Sequence, residues 1–209
     1  MRNIAVLAAL ALAAPALAQP VTLSFSRING NAPVDVASQF TAVVDDGPGD
    51  TVTFRFTNNA TIASSIMSIY FDDRADLLAF DSFVTQTGTN FTSGGVTPPN
   101  LPGGQNLTPP FQADATLSVG ASGNPNNGIN AAGDVLVVSY DLLGGNNFAD
   151  VLAALNSGAL RIGFHVQSIG ATGDSDAFVN NPPNGVIPLP TTAALAAAGL
   201  CGLAVRRRR

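Results

Sequence analysis

Thr51-Val52-Thr53-Phe54-Arg55-Phe56-Thr57 alternates without a break. Val52, Phe54 and Phe56 fall on one side of an extended chain, and Thr53, Arg55 and Thr57 on the other, because successive side chains of a strand point to opposite faces. A period of two with one apolar face predicts a half-buried β-strand. The run Leu160-Arg161-Ile162-Gly163-Phe164-His165-Val166-Gln167-Ser168-Ile169 repeats the pattern, with positions 160, 162, 164 and 166 apolar. The same reading places a strand at residues 21–27, with Val21, Leu23 and Phe25 on one face, and others at 40–44, 77–84 and 134–141. Residues 66–71 are more continuously apolar and read as a central strand. Alternation resumes over 111–119, and a short strand is expected at 177–179.

Turn formers punctuate these runs: Asp45-Asp46-Gly47-Pro48-Gly49, Asn58-Asn59, a charged loop at 72–76 and an Asn/Gly-rich loop at 121–130. Residues 93–110 read as one long loop, with glycine pairs at 94–95 and 103–104 and proline pairs at 98–99 and 109–110. A structureless loop of that length is unusual in a compact domain and is often functional or mobile. One helix is expected over 147–157, with Asn146 or Asn147 as N-cap, Asp150 in the first turn, Val151, Leu152 and Leu155 on one side and Gly158 just past the end. About eight strands with a single helix predict an all-β fold, an antiparallel β-sandwich of jelly-roll or immunoglobulin-like type. A parallel α/β sheet would need recurrent helices.

Both ends of the chain carry a different kind of pattern. Residues 1–18 have a positive residue at Arg2, an apolar run at 4–14, and Pro15 before Ala16-Leu17-Ala18. These are the three parts of a secretory signal peptide, with the cut expected after Ala18, before Gln19. The apolar run is too short to span a bilayer. At the other end, residues 191–205 are uncharged and Arg206, Arg207, Arg208 and Arg209 follow. A helix of that length covers only about 22 Å against a hydrocarbon core of about 30 Å, so it is a marginal span. The arginines act as a stop-transfer block that stays cytoplasmic. Cys201, the sole cysteine, forms no internal disulfide and reads as a small apolar residue of that helix.

The tail resembles the PEP-CTERM class of bacterial sorting signals in its Val-Pro-Leu-Pro variant. The resemblance rests on Ile187-Pro188-Leu189-Pro190, the apolar residues 191–205 and the four terminal arginines. Leu189 stands where a Glu usually sits. The resemblance implies recognition of Pro188, Leu189 and Pro190 by an exosortase-type membrane transpeptidase and cleavage near them. It also implies delivery to the outer surface or extracellular polysaccharide matrix of a Gram-negative-type bacterium. The expected organisation is then a signal peptide at 1–18 removed by signal peptidase, a β-sandwich domain at 19–181, and a Pro-rich linker with the sorting motif at 182–190. A short transmembrane helix at 191–205, transient or anchoring, and the Arg cluster at 206–209 complete it. Residues 69–73, 98–110, 148–152 and 160–167 resemble globular domains of other proteins with this tail, a resemblance that implies no chemistry.

Composition narrows the partners. All fourteen acidic residues are Asp, and five of the nine arginines lie in the terminal segments. Four arginines against fourteen aspartates leave the domain at −10. Phosphate backbones repel such a charge, so nucleic acid is not expected as a partner. A soluble extracellular domain, or one that gathers divalent cations, fits it better.

The chemistry-bearing residues are few. His165, the single histidine, shares a strand face with Arg161 and Gln167, either as a recognition strip or as a solvated face. No nucleophile-elbow signature accompanies a Ser–His–Asp grouping. Asp72, Asp73 and Asp76 are candidate calcium ligands, because hard cations take clustered carboxylates. The Asp45–Asp50 run could supply such ligands in the same way, Asp174–Asp176 is a third acidic loop, and neither of the first two has EF-hand spacing. Asp pairs also serve glycosidases, at separations a sequence does not show. Trp is absent and Tyr occurs twice, which disfavours aromatic sugar platforms; the twelve Phe read as core. The expectation is a non-enzymatic surface or matrix protein that meets extracellular polysaccharide or the envelope and needs no cofactor except, at most, Ca²⁺. A hydrolase using an Asp pair and a calcium-dependent adhesive module are the alternatives.

Overall fold

The computed structural model describes residues 19–94 and 96–183. Within them the chain forms eleven strands and one α-helix. Sheet 1 has the order β1 (Val21–Leu23), β3 (Phe40–Asp46), β4 (Thr51–Asn58), β9 (Val135–Leu142), β6 (Leu78–Thr87). Sheet 2 has the order β2 (Phe25–Arg27), β11 (Asp174–Asn180), β10 (Leu160–Ile169), β5 (Ser65–Asp73), β8 (Val119–Ala121), β7 (Phe91–Ser93). Every pairing is antiparallel, and the two sheets form a β-sandwich.

The inner faces are those the alternation marks. Val52, Phe54 and Phe56 of β4 are fully buried, as are Leu160, Ile162, Phe164 and Val166 of β10. Rings interlock across the sandwich: Phe54 meets Phe71 at 5.2 Å and Phe56 meets Phe164 at 5.7 Å between centroids, both edge to face. Phe71 also lies 4.8 Å from Tyr140. Edge-to-face pairs place the positive rim of one ring on the negative face of the next. The Tyr140 hydroxyl is fully enclosed and donates to the Leu117 carbonyl at 2.7 Å, so its burial leaves no polar group unpaired.

Several elements depart from the sequence expectation. Residues 21–27 are two short strands in different sheets, not one. The alternation runs through both, but the chain leaves sheet 1 at Ser24 and joins sheet 2. Both inner faces look toward the same core, so one apolar stripe serves both sheets. The opposite side is linked in the same way, β6 lying at the edge of sheet 1 and β7 at the edge of sheet 2. Asp72 and Asp73 belong to the end of β5 and not to a loop. The expected strand at 111–119 is largely absent. Phe111 and Leu117 are buried, but they sit on a folded loop, and only Val119–Ala121 pairs. The strand at 177–179 is longer, running Asp174–Asn180.

The helix agrees with expectation. α1 spans Phe148–Ser157 behind a capping box in which the Asn147 side chain accepts from the first turn and Asp150 accepts from the Asn147 N–H at 2.9 Å. Gly158 ends it with φ of 74°, a left-handed conformation that costs a residue with a Cβ more than glycine.

The long loop is the largest difference. Residues 96–114 form a strap laid across the outer face of sheet 2, with a 3-10 turn at Gly104–Asn106. Val96, Leu101 and Phe111 pack with Tyr70 and Ala177 into a second apolar cluster. Ile28, Leu107, Ala113 and Val179 border it. β5 is therefore buried on both sides, Ser65 to Asp72 without exception. Gly163, between Tyr70 and Val179 in register, is what lets Leu101 down onto the sheet: a Cβ there would lie 2.7 and 2.9 Å from the two Leu101 methyls.

Phe71→Ala removes a ring that touches three others and is expected to cost about 3–5 kcal/mol. Chemical denaturation of the purified variant beside the parent measures it. Gly163→Ala is expected to cost about 1–3 kcal/mol by overpacking against Leu101. The paired variant Gly163→Ala with Leu101→Ala should lose less than the two single losses added, since the clash has gone.

Candidate functional site

The antiparallel register of β5 and β10 sets Asp72 opposite Arg161. Their ion pair, from Arg161 Nη2 to Asp72 Oδ2, is buried on the carboxylate side. Arg161 Nε also donates to Oδ2 at 3.1 Å, and Arg74 Nε donates to Oδ1 at 3.1 Å. The Gln112 N–H donates to Oδ2 at 3.2 Å. The same guanidinium donates to the carbonyls of Pro109 and Pro110, both at 2.9 Å, and stands 5.2 Å over the Phe111 ring. Arg74 Nη2 donates to the Pro110 carbonyl as well. A planar five-donor fork suits this work, because it reaches a carboxylate and two carbonyls at once. The result is a clamp that fastens the end of the strap to sheet 2.

Asp73 accepts backbone N–H groups of Ala75, Leu77 and Leu78, at 3.2, 2.7 and 2.9 Å. Burial pushes its carboxyl above the usual range, against the pull of those three donors, and Asp76 adds to the rise. Asp76 is exposed in a left-handed turn, with φ of 53°. Of the three calcium candidates, then, Asp72 is engaged by arginines and Asp73 by backbone donors. Among the described residues no three His, Cys, Asp or Glu side chains gather as a metal-holding group. The expected acidic loop at 174–176 is instead the start of β11, where Asp176 is buried and accepts from Arg27 at 3.5 Å and from the Ala32 N–H at 3.3 Å.

Arg161, His165 and Gln167 do share the outer face, as the alternation predicts. That face is neither a uniform strip nor a solvated one. Arg161 is held under the strap. His165 is half-buried between Ser68 and Ala177 of the neighbouring strands, and its Nδ1 has no hydrogen-bond partner among the described residues. Among the described residues no hydrogen bond joins it to a carboxylate, and no Ser–His–Asp relay is formed there. Burial lowers its pKa below 6.5. Tyr70, next along the face, donates to the Pro98 carbonyl at 2.9 Å, and burial pushes its phenol up to about 12.

Beyond His165 the strap stops short of covering the sheet, and a cleft of about 380 Å³ opens there. Ser68, Thr92, Thr97, Ser122 and Gln167 line it, together with Met67 and Val96. No charged side chain is among its lining residues. Both strands beneath it are irregular. β5 has a bulge opposite His165 and Val166, which leaves Met67 as the extra residue. β10 breaks register with β11 between Val166 and Ile169, and Ser168 there takes φ of 57°. A smaller recess of about 140 Å³, lined in part by Leu155, Arg161 and Asn180, also lacks a carboxylate. Of the cleft residues, only Gln167 stood out in the sequence. The rest come together through bulges and a loop crossing, which leave no periodic signal.

Gln19 lies at the start of the described chain and is exposed. Ala16 and Ala18, the motif Pro188, Leu189 and Pro190, the apolar residues 191–205 and Arg206 to Arg209 lie outside the described residues. No helix among the described residues is long and apolar enough to cross a membrane.

Arg161→Ala should loosen the strap before the sandwich. Hydrogen exchange is expected to speed up at the Gly104, Phe111 and Gln112 amides and to stay slow in β4. Equal acceleration everywhere would mean the clamp supports the whole fold. For His165, the folded pKa lies below the unfolded value, so the unfolded chain takes up a proton first as pH falls. Its contribution to stability is complete above about pH 6.5 and is lost as pH falls toward the folded pKa. One imidazole resonance in the proton spectrum, titrating below 6.5, checks this directly, since the chain has a single histidine.

Comparison with protein-family models, with characterised proteins and with solved structures finds no match, so the reading of this surface rests on its own geometry.

Proposed function

We propose that the protein is an exported, non-enzymatic surface or matrix module, sorted by its C-terminal signal and associated with extracellular polysaccharide or the envelope. The observation that carries this reading is the tail: Pro188-Leu189-Pro190, the uncharged residues 191–205 and four consecutive arginines, on a chain that also opens with a signal-peptide pattern. A signal peptidase and an exosortase-type enzyme are the processing partners it requires. The acidic domain between the two segments supports the reading. Two of its buried aspartates, Asp72 and Asp176, are bound to arginines that hold strands and strap in place, and a third, Asp134, accepts backbone N–H groups. The cleft on sheet 2 is lined by neutral groups suited to contact more than to proton transfer.

Intact mass spectrometry of the protein recovered from its host, from envelope and medium separately, tests the sorting reading. A species beginning at Gln19 and ending near Pro188 is the expected product. A species that keeps Arg206 to Arg209 would show an uncut anchor, and the sorting reading would fall.

A further inference from the structure

From the cleft beyond His165 we infer a binding site for a neutral saccharide unit, held between β5, β7, β8, β10, the loop after β8 and the start of the strap. The inference deepens the surface-module reading, on which it rests for the setting in which such a ligand is met.

The lining decides the class of ligand. With no Arg, Lys or Asp in it, the cleft offers neither the cation that a carboxylate or phosphate needs nor the anion that a metal or amine needs. What it offers are hydroxyls from Ser68, Thr92, Thr97 and Ser122 and the carboxamide of Gln167. Thr92 donates to the Gly120 carbonyl at 3.4 Å and keeps its acceptor side, and Ser122 accepts from Asn127 Nδ2 at 2.9 Å and keeps its donor. Hydroxyls and carboxamides both donate and accept. A ligand that satisfies them presents donors and acceptors in alternation without net charge, which describes the hydroxyls of a sugar ring. Met67 and Val96 supply apolar wall against which the C–H face of such a ring packs. The volume, about 380 Å³, lies within the range of about 300–1,000 Å³ typical of small-molecule sites.

The backbone irregularities fall at the same place. The β5 bulge at Met67 puts Met67 and Ser68 side by side at the cleft. Bulges re-aim side chains next to binding sites. Ser168, a non-glycine residue in the left-handed region, adjoins Gln167 where β10 breaks register. Such conformations persist where the surrounding structure holds them, and they cluster at ligand sites. His165, whose Nδ1 has no hydrogen-bond partner among the described residues, stands opposite the lining residue Ser68 in register, though it does not itself line the cleft. The domain's negative charge adds selectivity, since it repels acidic sugars and leaves neutral ones unaffected.

Saturation-transfer NMR on the full chain, in a detergent without a sugar headgroup, tests the site. Maltotriose, cellotriose and mannotriose are the neutral probes, and trigalacturonate is the acidic control. At least one neutral trisaccharide should receive saturation, and trigalacturonate should receive less. Gln167→Ala should weaken the neutral signal about fivefold, the loss of one hydrogen bond. Thr92→Trp, which fills the cleft from an exposed edge position, should abolish it. Both variants should melt within a few degrees of the parent, which separates lost binding from lost fold. Silence from all three neutral probes overturns the site. A neutral signal that survives both substitutions, or a stronger signal from trigalacturonate, also overturns it. None of these outcomes depends on the tail being cut, so the saccharide site and the sorting reading stand or fall separately.

Discussion

The ion pair between Asp72 and Arg161 joins three parts of the chain at one point. It ties β5 to β10 in the middle of sheet 2, and its guanidinium reaches on to the Pro109 and Pro110 carbonyls of the strap. The strap in turn is needed because sheet 2 is apolar on both faces. Tyr70 and Ala177 point away from the sandwich core and would meet water without Val96, Leu101 and Phe111 above them. Covering them favours folding by the hydrophobic effect. Ordering about twenty residues opposes it at roughly 1–2 kcal/mol of backbone entropy each. Apolar packing alone is not directional. The charge-assisted hydrogen bonds of Arg161, Arg74 and Asp72 give the strap one position, and the missing side chain at Gly163 gives Leu101 its seat.

The scarcity of cations gains a physical sense from this arrangement. Three of the domain's four arginines, Arg27, Arg74 and Arg161, pair with carboxylates of which two, Asp72 and Asp176, are buried. A buried carboxylate without such a partner costs several kcal/mol. Asp134 is buried too and is held by the Asn130 and Ala131 N–H groups, both at 2.9 Å, while Asp73 is half-buried on three backbone donors. Exposed acids such as Asp35, Asp46, Asp50, Asp76, Asp81 and Asp141 are solvated and set the sign of the surface field. Structural and surface roles are thus divided between two sets of aspartates that composition alone lumps together.

The cleft follows from the same construction. A strap clamped at its Pro109–Phe111 end and hydrogen-bonded through Tyr70 to Pro98 leaves the sheet uncovered beyond that point. There β5 and β10 both carry bulges, and Ser168 holds a left-handed conformation. Regular strands would present an alternating, shallow surface. The bulges set Met67 and Ser68 together and turn the sheet locally, so that a concave, neutral surface forms where a flat one would otherwise lie.

Local pattern alone determined the antiparallel β-sandwich with a single helix. The apolar alternation at 51–57 and 160–169 marked faces that are buried, and Asn147, Asp150 and Gly158 marked the helix ends. Such signals need only a residue and its near neighbours, since strand period and capping are short-range effects. The alternation at residues 111–119 misleads for the same reason. Phe111 and Leu117 are apolar because two different regions of the fold bury them, not because they share one strand face. Tertiary structure decided the split of residues 21–27 between two sheets, the conversion of a Gly- and Pro-rich stretch into a packed strap, and the pairing of Asp72 with Arg161. It also decided the assembly of Ser68, Thr92, Thr97, Ser122 and Gln167 around one cleft. Each of these depends on contacts between residues far apart in the chain, whose free energies appear only when strands pair in a particular register, and no local period records that register.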